Sequence, residues 1–134
     1  MKVIVLSAMG TGALMLVTAT AMAHHSGAMF DRSKTLEITG NVKEFQYTNP
    51  HSWLLVTVTE ADGKTTDWAF EAEGPSTLLK NGVKKSSVTP GEKVTVTTNP
   101  LRDGRPGGTW VVLKKADGTV IDPRRRPDGP AAAP

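Results

Sequence analysis

The alternation of apolar and polar residues between positions 35 and 121 is the feature that most constrains the fold. Successive side chains of a strand point to opposite faces, so short alternating segments predict β-strands. Six strands are predicted, at 35–47, 53–60, 65–73, 93–98, 109–115 and 119–121, with one short helix at 77–80. The chain contains no cysteine, so this β domain must be stable without disulfides, and thiolate chemistry is excluded.

The order of these elements predicts an all-β domain with one short helix. Asp62-Gly63 has the composition of a hairpin turn, and Asn81-Gly82 is a typical helix end. Three strands, a helix and two or three more strands is the order of a small five- to six-stranded OB-like barrel, with an open β-sandwich or roll as the alternative. The alternation slips by one place near Gly40-Asn41, which predicts a β-bulge that bends the first strand.

The N-terminus has the pattern of a secretory signal over residues 1–23. Lys2 precedes an apolar run at 3–17, and Ala21-Met22-Ala23 is a small-x-small cleavage site. We therefore expect export to a bacterial periplasm or medium, no stable membrane anchor after cleavage, and His24 as the new N-terminus. Residues 24–34 are predicted to form an arm, 35–121 the OB-like domain, and 122–134 a disordered tail rich in Pro, Arg and Ala.

The histidines suggest a metal site. A new N-terminal His24 offers its α-amino group and its ring nitrogen to one metal ion, and a second imidazole would complete a set that suits copper or another divalent metal. His51 is the better distant ligand, because His25 is adjacent to His24, and His25 is a candidate assisting ligand. Met29 adds a soft thioether that favours Cu(I), and Glu71 adds a carboxylate as a ligand or as a support for one.

Charge divides the chain into two halves. Residues 24–73 carry four basic and eight acidic side chains, whereas residues 74–134 carry eleven basic and five acidic ones. The histidines all lie in the acidic half, which favours cations. A competing hypothesis is a protein- or envelope-interaction module without metal, which would use the loops after strands one and four with Arg102 and Arg105.

A third hypothesis places a small ligand on the aromatic residues near the His51 loop. Tyr47 and Trp53 flank that loop, although both are also expected as core residues. Thr48-Asn49-Pro50 after strand one is repeated as Thr98-Asn99-Pro100 after strand four, and in an OB barrel these two loops lie at the usual ligand-binding side. Asn49 is therefore a further candidate ligand residue.

Catalysis and nucleic-acid binding are disfavoured by the sequence. No nucleophile-elbow motif and no evident acid–base pair is present. The aromatic residues lie mostly in the acidic half, whereas single-stranded nucleic acid is bound by aromatic and basic residues together. We expect a binding protein that is not an enzyme, and the sequence leaves its oligomeric state and the identity of its ligand open.

Several motifs along the chain resemble a family of small exported bacterial proteins that is defined by a domain of unknown function. The matching motifs are His24-His25-Ser26, Met29-Phe30-Asp31, Gly40-x-Val42-x-Glu44-Phe45, Asn49-Pro50-His51, Trp68 to Glu71, Pro90-Gly91-Glu92-x-Val94 and Pro100-Leu101-Arg102-Asp103-Gly104. The chain departs from the family pattern at Tyr47, where a tryptophan is expected. The resemblance implies export and a small β domain, and it implies no activity, substrate or cofactor.

Overall fold

The structure is a computed structural model that describes residues 26–126 and 129. The predicted signal at 1–23, its cleavage site, and the histidines at positions 24 and 25 lie outside the described residues.

The described chain forms six strands and one α-helix. The strands are β1 (Leu36–Gln46), β2 (Ser52–Thr59), β3 (Thr65–Ala72), β4 (Lys93–Pro100), β5 (Gly107–Lys115) and β6 (Val120–Ile121), and helix α1 (Pro75–Lys80) lies between β3 and β4. Two short 3-10 helices cover Ser26–Met29 and Lys85–Ser87. The order of strands and helix agrees with the prediction.

The sheet closes into a barrel. Its strand order is β3-β2-β1-β4-β5-β6, and β3 also pairs with β5, so the first five strands form a ring to which β6 is added. The β3–β5 pairing is parallel and the other pairings are antiparallel. This closure confirms the small OB-like barrel and excludes the open sandwich or roll.

The alternation of side chains accounts for the core. Inward-facing residues of the five strands form one buried cluster, which α1 and the segment after it close at one end. Its fully buried members are Leu54, Val56, Phe70, Leu78, Val83, Val94, Val96, Trp110 and Leu113. Phe45 contacts Trp110 edge to face, with ring centroids 5.6 Å apart.

The β-bulge in β1 lies two residues beyond the predicted Gly40-Asn41 position. The register between β1 and β2 shifts between Val42 and Glu44, which makes Lys43 the extra residue. Gly40 instead marks a close approach of two strands, because a Cβ there would lie 2.4 Å from the carbonyl oxygen of Thr57. The alternation breaks where the strand leaves β4 and pairs with β2 alone.

The loop between β4 and β5 is shorter than the sequence predicts. The predicted loop covered 99–108, but β4 continues through Pro100 and β5 begins at Gly107. The backbone at Gly108 packs so closely that a Cβ would lie 2.1 Å from Oγ1 of Thr98 and 2.3 Å from the carbonyl oxygen of Asn99. Glycine at this position therefore serves tight strand pairing and does not indicate a flexible loop.

Pro123, which lies in the segment predicted as a tail, is buried in the structure. Its carbonyl oxygen accepts a hydrogen bond of 2.8 Å from Nδ2 of Asn81, at the end of α1. The guanidinium of Arg124 lies 3.5 Å from the carbonyl oxygen of Trp110. These contacts fix the segment directly after β6 against the barrel.

Candidate functional site

A cleft of about 220 Å³ with both polar and apolar lining residues lies where the β1–β2 loop, the end of β3 and the paired ends of β4 and β5 meet. It is lined by Gly27, Phe30, Arg32, His51, Glu71, Ala72, Glu73, Asn99, Thr109, Trp110, Pro123 and Arg124. His51, which follows the first Asn-Pro pair, and Asn99, which belongs to the second, both line this cleft. We call it the His51 cleft.

His51 and Glu71 form the central contact of the His51 cleft. Nδ1 of His51 contacts Oε1 of Glu71 in an ion-pair geometry, and the His51 side chain is 36% exposed while that of Glu71 is 8% exposed. The strand register explains the contact, because Trp53, two residues after His51, is paired with Glu71 across β2 and β3. With Nδ1 directed at a carboxylate, Nε2 is the ring nitrogen left for another partner, and it has none among the described residues.

Phe30 holds the N-terminal segment against the barrel. Its side chain is buried, and its backbone forms an isolated β-bridge with Leu101 in the β4–β5 loop. The backbone N–H of Asp31 donates to the carbonyl oxygen of Pro100 at 2.8 Å, and that of Arg102 donates to Met29 at 2.9 Å. The predicted arm therefore lies along the barrel over residues 27–34, with Gly27 in the wall of the His51 cleft.

Arg102 and Asp31 reinforce this attachment. Nε of Arg102 donates to the carbonyl oxygen of Ala28 at 3.2 Å, and its Nη1 lies 3.8 Å from Oδ1 of Asp31. The hydrogen bonds from Ser33, together with nearby Lys34 and Arg102, hold the pKa of the Asp31 carboxyl below its usual range. Arg102 thus binds a segment of its own chain.

The His51 cleft has mixed charge, and Trp110, which is buried, forms part of its wall. Glu71 and Glu73 contribute carboxylates, and Arg32 and Arg124 contribute guanidinium groups. The buried Nε1 of Trp110 has no hydrogen-bond partner among the described residues. Among residues 26–126 and 129, no group of three or more His, Cys, Asp or Glu side chains is placed to hold a metal ion.

Met29, Trp53 and Arg105 line a second cavity, which is apolar and does not include His51. Met29 is 40% exposed and does not line the His51 cleft, so the structure does not place its thioether beside His51. Trp53 is half-buried, and Arg105 forms an ion pair of 2.7 Å with Asp103. Of the predicted metal ligands that the structure describes, only His51 and Glu71 meet.

Tyr47 and Asn49 line neither cavity. The Tyr47 hydroxyl lies 3.0 Å from the carbonyl oxygens of both Pro75 and Val83, and its ring packs edge to face on Phe45 at 5.5 Å. Tyr47 therefore attaches α1 and the following segment to the barrel. Asn49 is exposed, and it precedes Pro50 in a cis peptide bond.

Sequence reasoning missed several residues of the His51 cleft. Phe30 carried a usable signal, since it is the one aromatic residue between positions 26 and 44. The other missed residues carried no signal, because they reach the cleft through the attachment of the N-terminal segment, through barrel closure and through the return of the chain after β6. They are Arg32, Thr109, Trp110, Pro123 and Arg124.

The described residues contain no helix long and apolar enough to cross a membrane.

Comparison with known proteins gives one match. The model of a family of unknown function (DUF6152) matches residues 13–111. No curated protein and no solved structure matches the chain. The matched range begins inside the predicted signal, covers β1 to β4, and includes His51, Glu71 and Trp110. Since the match spans most of the sequence, the chain belongs to this family of unknown function.

Proposed function

We propose that this protein is an exported, periplasmic metal-binding protein, and that it binds Cu(II) without catalysing a reaction. The ligands in this proposal are the α-amino group and ring of His24 after signal cleavage, and Nε2 of His51. One observation carries the proposal: Glu71 engages Nδ1 of His51 inside a cleft whose wall includes Gly27.

The contact between His51 and Glu71 supports this role in a specific way. A histidine that binds a metal commonly donates its other ring N–H to a carboxylate, which orients the ring and makes the ligating nitrogen more basic. Glu71 is buried and contacts Nδ1, so it is suited to orient His51 rather than to bind the same ion directly. Its predicted role is therefore that of a positioning residue.

The position of Gly27 supports a contribution from His24. Gly27 is three positions after His24, and three extended residues span up to about 10 Å. Gly27 and His51 line the same cleft, and the volume of this cleft is about 220 Å³. In this proposal, the chain before Gly27 returns into the cleft and places the amine of His24 beside the His51 ring.

The chemistry of the available donors favours Cu(II). Imidazole and amine nitrogens suit this ion, whereas Cu(I) prefers soft sulfur ligands. The chain has no cysteine, and Met29 faces the other cavity. The chelating amine is also created only by signal cleavage, so in this proposal the site becomes complete only on export.

Calorimetric titration of Cu(II) into the mature protein tests the proposal, after mass spectrometry confirms His24 as the first residue. We expect one tight site per chain. His51→Ala should weaken it by about a hundredfold or more, and one extra alanine before His24 should do the same. Glu71→Gln should weaken it by about tenfold to a hundredfold, since that is the usual effect of removing a carboxylate that supports a ligand.

Glu37→Gln is the matched control, because Glu37 is an exposed carboxylate on β1 outside the His51 cleft. It should leave the affinity unchanged. If neither His51→Ala nor the extended N-terminus alters Cu(II) affinity, the proposed site is wrong. A metal-independent envelope-interaction module would then be the better hypothesis, although Arg102, one of its two arginines, is already engaged by the N-terminal segment.

A further inference from the structure

The second cavity encloses about 300 Å³, and its lining is almost entirely apolar. We call it the Trp53 pocket. It is lined by Met29, Phe30, Trp53, Ala69, Leu101, Arg105, Pro106 and Gly108. Phe30 lines both cavities, so the attached N-terminal segment contributes a wall to each. The pocket is therefore partly formed by residues outside the barrel.

Small residues leave the Trp53 pocket open. Ala69 on β3 is paired with Gly107 on β5, so neither strand supplies a large side chain there. Gly108 cannot gain a side chain, because a Cβ would overlap Thr98 and the backbone of Asn99. The large walls are the half-buried indole of Trp53 and the buried ring of Phe30, and flat aromatic walls favour flat aromatic ligands.

Arg105 supplies the one charged side chain among the described residues that line the pocket. Its Nε donates to Oδ2 of Asp103 at 2.7 Å, and its backbone N–H donates to Oδ1 of the same residue at 3.1 Å. These hydrogen bonds hold the pKa of Asp103 below its usual range, so the carboxylate stays ionised and fixes the guanidinium. The two terminal nitrogens of Arg105 have no partner in the part of the chain that the structure describes, and they remain available to an anion.

We propose that the Trp53 pocket binds a small aromatic anion, with its ring between Trp53 and Phe30 and its acidic group on the terminal nitrogens of Arg105. The volume lies near the lower end of the range for small-molecule sites, which is roughly 300–1,000 Å³. Arg105 is the one charged residue in the described chain that lines the pocket, and its terminal nitrogens can donate hydrogen bonds to a single acidic group while Nε stays bonded to Asp103. This site is separate from the proposed Cu(II) site and requires no metal.

Titration of 2-naphthoate into metal-free mature protein, followed by ¹H–¹⁵N NMR, tests the proposal. The chain contains three tryptophans, so its indole N–H region has three assignable signals. We expect a saturable shift of the Trp53 signal. The Trp110 and Trp68 signals should stay in place, because Trp110 is in the core and Trp68 packs parallel to Phe70 at 6.0 Å. EDTA is included throughout the titration, so that this result does not depend on metal binding.

Two variants with matched controls test the two halves of the proposal. Ala69→Leu fills the pocket and should weaken 2-naphthoate by at least about tenfold, whereas Ala61→Leu in the exposed β2–β3 turn should not. If Ala69→Leu does not fold, Ala69→Val is the smaller substitution. Arg105→Gln should weaken 2-naphthoate by about fivefold and leave uncharged 2-naphthamide unaffected, whereas Lys80→Gln on α1 should change neither.

Three results would overturn the proposal. The first is the absence of a saturable Trp53 shift at millimolar 2-naphthoate. The second is a shift of the Trp68 or Trp110 signal instead, which would place the binding elsewhere. The third is equal affinity for 2-naphthoate and 2-naphthamide that Arg105→Gln does not change, which would show an apolar pocket without selection for anions.

Discussion

Glu71 is the one buried ionisable side chain among the described residues. Taking a carboxylate out of water is costly unless hydrogen bonds or an opposite charge compensate it. The imidazole of His51 is the compensating partner that the described residues offer, and it remains partly exposed at the cleft. A buried carboxylate whose partner is one partly exposed histidine contributes little to the stability of the fold. We therefore expect Glu71 to serve a function.

Tyr47→Phe should destabilise the protein by about 1–2 kcal/mol, because it leaves the carbonyl oxygens of Pro75 and Val83 without the hydroxyl that lies 3.0 Å from each. Urea unfolding followed by tryptophan fluorescence measures the change. Cu(II) affinity should not change, since Tyr47 does not line the His51 cleft. An unchanged urea midpoint would contradict the anchoring role assigned to this hydroxyl.

Gly108→Ala should cost about 3 kcal/mol of unfolding free energy, because a Cβ would overlap both Oγ1 of Thr98 and the backbone of Asn99. Gly104→Ala is the matched control. Gly104 has φ of +78° but open space around it, so alanine there should cost only about 1 kcal/mol. Thermal unfolding of both variants compares the cost of steric overlap at Gly108 with the cost of backbone strain at Gly104. Equal losses of unfolding free energy would contradict the close packing at Gly108.

At the scale of elements, the N-terminal segment is attached mainly by Phe30. Its ring is buried between the barrel and the β4–β5 loop, and the surrounding hydrogen bonds join the backbones of 29–31 to those of 100–102. The sequence predicts this segment as an arm because it lacks periodicity. A single buried side chain and one β-bridge suffice to attach it, and neither produces a repeating pattern.

Phe30→Ala should weaken the docking of this segment by about 3 kcal/mol, the usual cost of removing a buried phenyl ring. Hydrogen exchange should therefore become much faster at the backbone amides of Asp31 and Arg102, which bond across the junction. Amides in the centre of β2 should keep their protection. Leu79→Ala, at an exposed leucine on α1, is the control and should change neither set. Unchanged exchange at Asp31 in Phe30→Ala would refute this account of the attachment.

Strand positions and barrel class were predictable because they depend on alternation and turn residues. The bulge at Lys43 was misplaced, because alternation records which face is buried and not which neighbouring strand a residue pairs with. The pairing of His51 with Glu71 was only partly predictable. Both residues were candidates, but His51 precedes β2 and reaches Glu71 diagonally past the Trp53–Glu71 pair, and alternation does not show where a side chain outside the strand lies.

At the scale of the whole molecule, one carboxylate links the turn before β4 to the neighbouring strand β5. Glu92, just before β4, accepts hydrogen bonds from the backbone of Thr89 at 2.7 Å and from Nζ of Lys115 on β5 at 3.0 Å. The Thr89 hydrogen bond, followed by that of Lys115, holds the pKa of the Glu92 carboxyl below its ordinary value of 4.5.

The depressed pKa of Glu92 predicts a pH-dependent contribution to stability. A carboxyl with a lowered pKa in the folded state stabilises the fold above its ordinary value of 4.5, and this stabilisation is lost as the pH falls through the folded pKa. Glu92→Gln should therefore lower the unfolding free energy at pH 7 by about 1 kcal/mol, a figure reduced for partial exposure. The difference from the parent protein should begin to shrink as the pH falls below 4.5, and it should disappear once the pH is below the folded-state pKa of Glu92. Urea unfolding at several pH values measures it, with Glu37→Gln as control, and a pH-independent difference would contradict the assignment.

The first and last parts of the described chain meet at one place, because Gly27 and Arg124 both line the His51 cleft. A peptide linker between the two ends would therefore join neighbouring segments without crossing the barrel. New ends could be opened at the exposed Asp62-Gly63 turn, the kind of site that tolerates a chain break. Such a circular permutant would retain His51 and Glu71 but would carry no free amine beside them. Metal binding by the His51 imidazole could then be measured in an intact barrel without a contribution from the N-terminus.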